Sequence, residues 1–238
     1  MTAGRRGQLS ASLAEVRQRI ARACAAAGRV PESVTLVAIT KTYPASDVEL
    51  LAELGVTDVG ENRDQEASSK AAQVTAAIRW HFVGRLQRNK ARSVVGYADV
   101  VESVDSLRLA AALDEAARRH RTTPLDVLVQ VSIDGDPSRG GAAADHPDPE
   151  HDLWHVADAV AAAEGLRLGG LMAIAPLDWD PDRAFGTLRD LAGRLAAAHP
   201  QATAISAGMS GDLEQAIKHG ATHVRIGTSL LGMRKPLR

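Results

Sequence analysis

The sequence has little of several features that mark particular classes of protein. Cys24 is the only cysteine among 238 residues, which excludes an intrachain disulfide and a cysteine metal cluster. No apolar run approaches the roughly 18 residues that a membrane-spanning helix needs. Basic and acidic residues number 28 and 29, so the chain lacks the charge excess of proteins that bind nucleic acid through bulk charge.

These absences give expectations about location and partners. No apolar segment follows Arg5, because Glu15 and Arg17 interrupt it, so we expect no secretory signal. A single cysteine is typical of a reducing compartment. His151 and His155 are four residues apart, but no third ligand is evident and no metal site is predicted. We therefore expect a cytoplasmic monomer that binds neither membranes nor nucleic acid.

Runs rich in β-branched residues alternate with stretches rich in Ala, Leu, Arg and Glu. Strands are predicted at Val34–Thr40, Val56–Gly60, Arg79–Val83, Asp99–Val104, Leu125–Ile133, Arg167–Ile174, Ala202–Ser206 and His223–Ile226. Helices are predicted at Ala45–Leu54, Ser106–His120, Asp152–Ala163, Pro181–Ala198 and Asp212–His219. About eight strand–helix repeats predict a single (β/α)8 TIM-type barrel spanning residues 1–238 as one domain, with an open doubly wound sheet as the alternative.

An extra helix is predicted before the first strand. Its apolar residues recur at spacings of three and four, at Leu9, Leu13, Val16 and Ile20. Ser12 and Glu15 fit a capping box that would begin the helix. We expect this amphipathic helix to pack on the barrel.

Polar or small residues lie at the predicted carboxyl ends of most strands, where a barrel builds its site. Lys41 follows the apolar run that ends at Thr40. A lysine there is either solvated, which its position alone favours, or partly buried in the barrel mouth. Partial burial makes the amine a nucleophile toward aldehydes.

Two glycine-containing turns follow the last two predicted strands, at Ser206–Asp212 and Arg225–Ser229. Small residues let the backbone approach a ligand closely, and barrels commonly hold phosphate at this place. The alternative is a pair of tight turns that only cap helices. Together with Lys41, the turns point to a phosphorylated aldehyde, pyridoxal phosphate.

Several segments carry a family resemblance, and they span nearly the whole chain. They are Val37–Thr42, Gly60–Asn62, Trp80–Lys90, Ser103–Asp105, Gly170–Met172, Gly208–Asp212 and Val224–Gly227. In these segments the sequence resembles the pyridoxal phosphate homeostasis protein family, whose fold is like the barrel domain of alanine racemases. The blocks around His81 and Ser210 are specific in combination.

The resemblance implies a set of cofactor-binding residues. They are Lys41, Asn62, His81, Met172, Ser210, Arg225, Gly227 and Thr228. Lys41 would form the Schiff base, Asn62 would lie beside the ring, and Ser210 would hold the phosphate. Arg225 would face the pyridine nitrogen, and a guanidinium only donates, so that nitrogen would stay unprotonated and support carbanion chemistry weakly.

The function that the resemblance implies is binding rather than catalysis. Racemisation needs a proton donor or acceptor on each face of the substrate. Tyr43 and Tyr97 are the only tyrosines, neither matches the opposing tyrosine of alanine racemases, and the barrel pattern leaves only Leu230–Arg238 beyond it. We expect a protein that holds, buffers or delivers pyridoxal phosphate in vitamin B6 homeostasis, with pyridoxal-phosphate-dependent apo-enzymes as partners and no catalytic residue of its own. A pyridoxal-phosphate-dependent racemase or lyase, and a phosphate-binding barrel without pyridoxal, are the alternatives.

The chain departs from the family pattern at three positions. Ser132 stands where asparagine is usual, and Arg85 replaces a small residue or proline. In the loose segment Asp134–Pro149, which could be a mobile lid, Arg139 replaces a lysine. A handoff route through a second lysine in that segment is therefore not expected.

Overall fold

The computed structural model describes residues 2–136 and 140–232. The strands are β1 (Thr35–Ile39), β2 (Asp58–Glu61), β3 (Arg79–Phe82), β4 (Val100–Val104), β5 (Leu125–Val131), β6 (Leu166–Ala173), β7 (Ala204–Ser206) and β8 (His223–Ile226). The helices are α1 (Thr2–Ala26), α2 (Ala45–Glu53), α3 (Asp64–Ala71), α4 (Ala91–Val94), α5 (Leu107–His120), α6 (Leu153–Ala162), α7 (Pro181–Ala198), α8 (Leu213–Lys218) and α9 (Thr228–Leu231). All eight predicted strands are confirmed, with ends that differ by at most two residues.

The strands form a closed parallel barrel in chain order. β8 returns to pair with β1, with Thr35 opposite His223, so the sheet has no edge and the open-sheet alternative is wrong. A helix lies in the connection between each pair of consecutive strands. Parallel strands joined in this way place all their carboxyl ends at one mouth of the barrel.

The extra N-terminal helix is confirmed, but its start is not where the sequence predicts it. α1 begins at Thr2, so Ser12 and Glu15 lie inside the helix and the predicted capping box is wrong. The first turns are held on the barrel by Arg5, whose guanidinium pairs with Asp47 of α2 at 2.6 Å and bonds the carbonyl of Leu231 at 3.1 Å. The apolar stripe of α1 is buried, as predicted, at Leu9, Leu13, Val16 and Ile20.

Two of the outer helices begin at aspartate caps. Asp152 accepts hydrogen bonds from the backbone N–H groups of Trp154 and His155, and Asp180 accepts one from Arg183. A side-chain oxygen at this position satisfies a donor that has no partner within the helix. Both helices bury their apolar residues in the core that surrounds the strands.

The segment predicted as a lid is partly tied to the barrel. Ala142 donates to the carbonyl of Gln130 and its own carbonyl accepts from Ser132, so this stretch lies along the end of β5. Arg139 falls outside the described residues.

The sequence pattern did not predict α3, α4 or α9, which are short or have little apolar periodicity. Each described helix is too short or too polar to cross a membrane.

Candidate functional site at the barrel mouth

A cavity of about 500 Å³ opens among the carboxyl ends of the strands. Seven of the eight predicted cofactor residues line it, namely Lys41, Asn62, Met172, Ser210, Arg225, Gly227 and Thr228. The lining also contains residues outside that predicted set, including Ile39, Val83, Gly84, Arg85, Asp105, Gln130, Ile174 and Met209. The eighth predicted residue, His81, is not part of the lining, because its side chain lies within the barrel interior.

Lys41 stands at the rim between two anchored neighbours. The carbonyl of Thr40 accepts a hydrogen bond from the buried ammonium of Lys70 at 2.7 Å. Lys70 also pairs with Glu61 at 2.6 Å and with Glu66 at 2.8 Å. Burial raises the pKa of Glu61, and Lys70 and the Thr40 hydroxyl offset this only in part. The backbone before Lys41 is therefore fixed by a buried ion pair.

The residue after Lys41 has an unusual backbone conformation. Thr42 has φ of 70°, which is strained for a β-branched residue. Its N–H donates to the carboxylate of Glu66, the same group that binds Lys70. Burial alone would raise the pKa of Glu66, but the Lys70 and Thr42 hydrogen bonds lower it. Both sides of Lys41 are thus attached to α3, an element that the sequence analysis missed.

The two glycine-containing turns meet across the cavity. The hydroxyl of Ser210 accepts a hydrogen bond from the N–H of Ser229 at 3.4 Å. Arg19 of α1 donates to the carbonyl of Ser210 at 3.0 Å, so the N-terminal helix supports this turn. Gly208 has φ of 90°, and its carbonyl accepts from the N–H of Arg225 at 2.9 Å. A side chain at Gly208 would be strained in this conformation and would meet Ala216 at 2.6 Å.

Asn62 is placed by a close approach of two backbones. A Cβ atom on Gly84 would lie 2.1 Å from the carbonyl oxygen of Asn62. Only glycine allows the end of β3 to pass so close to the turn after β2. This contact explains why the sequence has glycine shortly after β3, and it holds Asn62 at the cavity wall.

A row of hydrogen-bonded polar side chains runs through the barrel interior to the cavity. Arg225 donates to the hydroxyl of Ser206 at 2.7 Å, and Ser206 donates to Glu102 at 2.6 Å. The other oxygen of Glu102 lies 2.7 Å from Nδ1 of His81, whose Nε2 lies 2.9 Å from Asp58. Arg225 is the member that lines the cavity. The row links strands β2, β3, β4, β7 and β8.

The charges in this row alternate. Burial alone would lower the pKa of His81, but hydrogen bonds to Asp58 and Glu102 and their negative charges raise it to about 9. Burial alone would raise the pKa of Glu102, but His81, Arg225 and Ser206 lower it to about 2. At neutral pH the row is therefore carboxylate, imidazolium, carboxylate and guanidinium.

The members of this row were absent from the predicted site, apart from His81 and Arg225. The signal that could have revealed Glu102 is its position inside the run Val100–Val104, because a carboxylate in a buried apolar strand needs a partner. The partner Ser206 is 104 residues away, and only the closed barrel brings the two together.

A larger open groove of about 1080 Å³ adjoins the cavity and shares Asn62, Arg85 and Asp105 with it. Arg88 and Lys90 line this groove, and both are exposed. Arg85 therefore stands between the two spaces. The described residues contain no group of three or more side chains arranged to hold a metal.

The eight parallel strands close into a TIM-type barrel, and the candidate site is the cavity at the carboxyl ends of these strands. Residues 11–235 match the family model described as alanine racemase, N-terminal domain. The pyridoxal phosphate homeostasis protein of Mycobacterium tuberculosis (strain ATCC 25618 / H37Rv) is 47% identical over 247 residues, which cover 97% of this chain and 95% of that protein. The chain therefore belongs to the pyridoxal phosphate homeostasis protein family, within the alanine racemase N-terminal domain fold.

Solved structures agree with this assignment. PipY of Synechococcus elongatus PCC7942, determined with PLP bound, is 31% identical with a TM-score of 0.76, and the match covers 94% of this chain and all of that one. Alanine racemase from Corynebacterium glutamicum has a TM-score of 0.68 at 15% identity and is matched over 93% of this chain and 61% of its own length. The second likeness concerns the fold alone. The family resemblance predicted from the sequence is confirmed.

Proposed function

We propose that this protein binds pyridoxal phosphate in the mouth cavity and serves to hold and deliver it. The observation that carries the proposal is that Lys41 and the two glycine-containing turns line the same cavity. The names of the relatives and the PLP-bound PipY structure support it. The single cysteine, which is buried, supports the cytoplasm as its place of action.

The cavity has the size and the chemistry that the cofactor requires. Its volume of about 500 Å³ falls within the range of small-molecule sites. Lys41 supplies an amine for the aldehyde, with formation of a C=N bond and release of water. Ser210 with Gly227 and Thr228 supplies small polar groups for the phosphate, while Met172 offers an apolar surface for the ring.

Arg225 decides what the bound cofactor can do. Pyridoxal phosphate supplies an electron-withdrawing ring, which is strongest when its pyridine nitrogen is protonated. A buried guanidinium keeps its own protons and donates, so it favours the unprotonated nitrogen. Asn62 lies on the cavity wall beside the place proposed for the ring. The site is therefore suited to retention of the cofactor more than to stabilisation of a carbanion.

The test of binding uses the few lysines of the chain, which are Lys41, Lys70, Lys90, Lys218 and Lys235. The protein is incubated with pyridoxal phosphate, its visible absorbance is recorded, and the sample is reduced with borohydride and mapped by mass spectrometry. We expect a yellow protein with the adduct on Lys41. Lys41→Ala should remain colourless, whereas Lys90→Ala, outside the cavity on the same face, should load normally. A wild-type protein that stays colourless in excess cofactor refutes the proposal.

The racemase alternative has less support in the geometry. Neither tyrosine lines the cavity: Tyr43 donates to the carbonyl of Gly232 at 2.7 Å, and Tyr97 packs among the core residues. We infer that the protein has no dedicated turnover. The loaded protein is incubated with L-alanine and the product is analysed for chirality. Racemisation at enzyme-like rates that disappears in Lys41→Ala would support the alternative.

Delivery to apo-enzymes is tested separately. We expect the loaded protein to be a monomer. It is mixed with a pyridoxal-phosphate-dependent apo-enzyme in the presence of a phosphatase that destroys the free cofactor. Activation of the apo-enzyme that persists in the presence of the phosphatase supports direct delivery. Activation that the phosphatase abolishes means that the protein only buffers the free pool.

A further inference from the structure

We propose that His81 is a positioning residue that acts through Glu102 and Ser206 to hold the Arg225 guanidinium at the inner wall of the cavity. This inference deepens the proposed function and rests on it in one respect, since it concerns the group that would face the pyridine nitrogen. The row consists of this chain's own residues and can therefore be tested in the protein without cofactor.

The first step is the geometry of Arg225. Its Nη1 donates to Ser206 at 2.7 Å and its Nη2 to the carbonyl of Ala173 at 2.8 Å. Only 5% of its side chain is exposed, so water does not compete for these donors. Two acceptors on different strands, β7 and β6, fix the plane of the guanidinium. Its direct distance to Glu102 is 3.8 Å, so Ser206 is the bridge between the two charges.

The second step is the direction of the Ser206 hydroxyl. This hydroxyl accepts from Arg225, and its single proton goes to Glu102 at 2.6 Å. The direction is kept only while Glu102 is a carboxylate, because a protonated carboxyl could donate back to Ser206. Glu102 is fully buried, and a buried carboxylate needs positive partners to remain charged.

The third step is the role of His81. Its ring is enclosed by Asp58 from β2, Glu102 from β4 and His223 from β8, whose ring centroid lies 6.1 Å away. Both ring nitrogens face carboxylates, so the imidazolium can donate to each of them. His81 thus keeps Glu102 charged, and the orientation passes on to Ser206 and Arg225. Burial lowers the pKa of His223, which leaves it neutral and outside the row.

The test in the cofactor-free protein is nitrogen-15 NMR of the histidine and arginine side chains. We expect His81 to carry protons on both ring nitrogens at pH 7, and Arg225 to give separate, slowly rotating Nη signals. Ser206→Ala keeps every charge of the row but removes the bridge, so the Arg225 signals should merge. A neutral His81 at pH 7, or Arg225 signals unchanged in Ser206→Ala, would overturn the inference.

The test with pyridoxal phosphate compares Ser206→Ala and His81→Gln with a matched control, His223→Gln. The control removes the half-buried histidine whose ring lies next to His81 but leaves the members of the row in place. We expect the adduct to remain on Lys41 in all of them. The two row variants should bind the cofactor about tenfold more weakly, the loss expected of a loosened hydrogen bond to a charged group, and should shift its absorbance maximum.

The outcomes separate this inference from the proposed function. If the wild type fails to load Lys41, the proposed function fails while the NMR result still decides the row. If the wild type loads and the row variants match His223→Gln in affinity and absorbance, the positioning role of His81 is refuted. If His81→Gln does not fold, Ser206→Ala and its spectra carry the decision, because that variant leaves no buried charge without its ionic partner.

Discussion

The buried lysine beside the proposed site gives the sharpest prediction about stability. Lys70 is 7% exposed and its partner Glu61 is 1% exposed, with 2.6 Å between Nζ and Oε1. Lys70→Met keeps the apolar length of the side chain but leaves the buried Glu61 without its cation. Removal of one partner of a buried ion pair costs about 3–5 kcal/mol. For a chain of this size that corresponds to a melting temperature about 6–20 °C lower.

The matched control is Lys218→Met. Lys218 pairs with Asp182 at a similar distance of 2.7 Å, but the two side chains are 64% and 44% exposed. Exposed pairs of this kind contribute about 0–1 kcal/mol. Both variants remove one lysine charge that is paired with a carboxylate, but Lys70 is buried and also bonds Glu66 and the carbonyl of Thr40.

Urea denaturation followed by circular dichroism gives the free energies of unfolding of both variants and of Lys70→Met/Glu61→Gln. The double variant should recover part of the loss, because it no longer buries an unpaired carboxylate. If Lys70→Met is destabilised no more than Lys218→Met, the buried pair does not stabilise the turn that carries Lys41, and the argument fails.

Two further predictions follow from the site. Gly84→Ala should lower both the free energy of unfolding and the affinity for the cofactor, because its Cβ would overlap the carbonyl of Asn62. Denaturation and a binding titration measure the two losses. A variant as stable as the wild type would contradict this close contact. His81 has a pKa raised to about 9 in the folded protein, so its stabilisation is complete below about pH 6.5 and is lost as pH rises through 9. Between pH 6 and pH 10 the free energy of unfolding should fall by roughly 3 kcal/mol more in the wild type than in His81→Gln. If the free energy of unfolding has the same pH dependence in the wild type and in His81→Gln, the raised pKa of His81 is refuted.

The strands were predictable because each carries its own signal. Runs such as Leu36–Ile39 are apolar and β-branched, and eight of them separated by helical stretches leave few arrangements other than a closed barrel. Lys41 and Ser210 were predictable as neighbours for the same reason, since a barrel gathers the carboxyl ends of its strands. The start of α1 was not predictable, because Ser12 and Glu15 fit a local helix cap, whereas the helix itself begins at Thr2.

The support around the site was less predictable because it depends on contacts between distant segments. Lys70 follows a polar stretch of α3 with no apolar periodicity, so nothing in the local pattern marks it as buried. Its position is set by two carboxylates and by the carbonyl of Thr40, 30 residues earlier. His81 was placed in the cavity on the strength of a motif. Its ring faces the barrel interior, but it lies deeper than the cavity lining, between Asp58 and Glu102.

The alternating charges of that row explain how a guanidinium can be buried at the cavity wall. An isolated buried arginine would be strongly unfavourable, and a ligand would have to supply its counter-charge. Here Glu102 supplies it, and His81 and Asp58 continue the alternation, so the interior is close to neutral at pH 7. The donor that faces the proposed ring position is therefore preorganised by the protein. A ligand at the proposed ring position would therefore meet a guanidinium that the protein's own groups already orient, which lowers the ordering cost of binding.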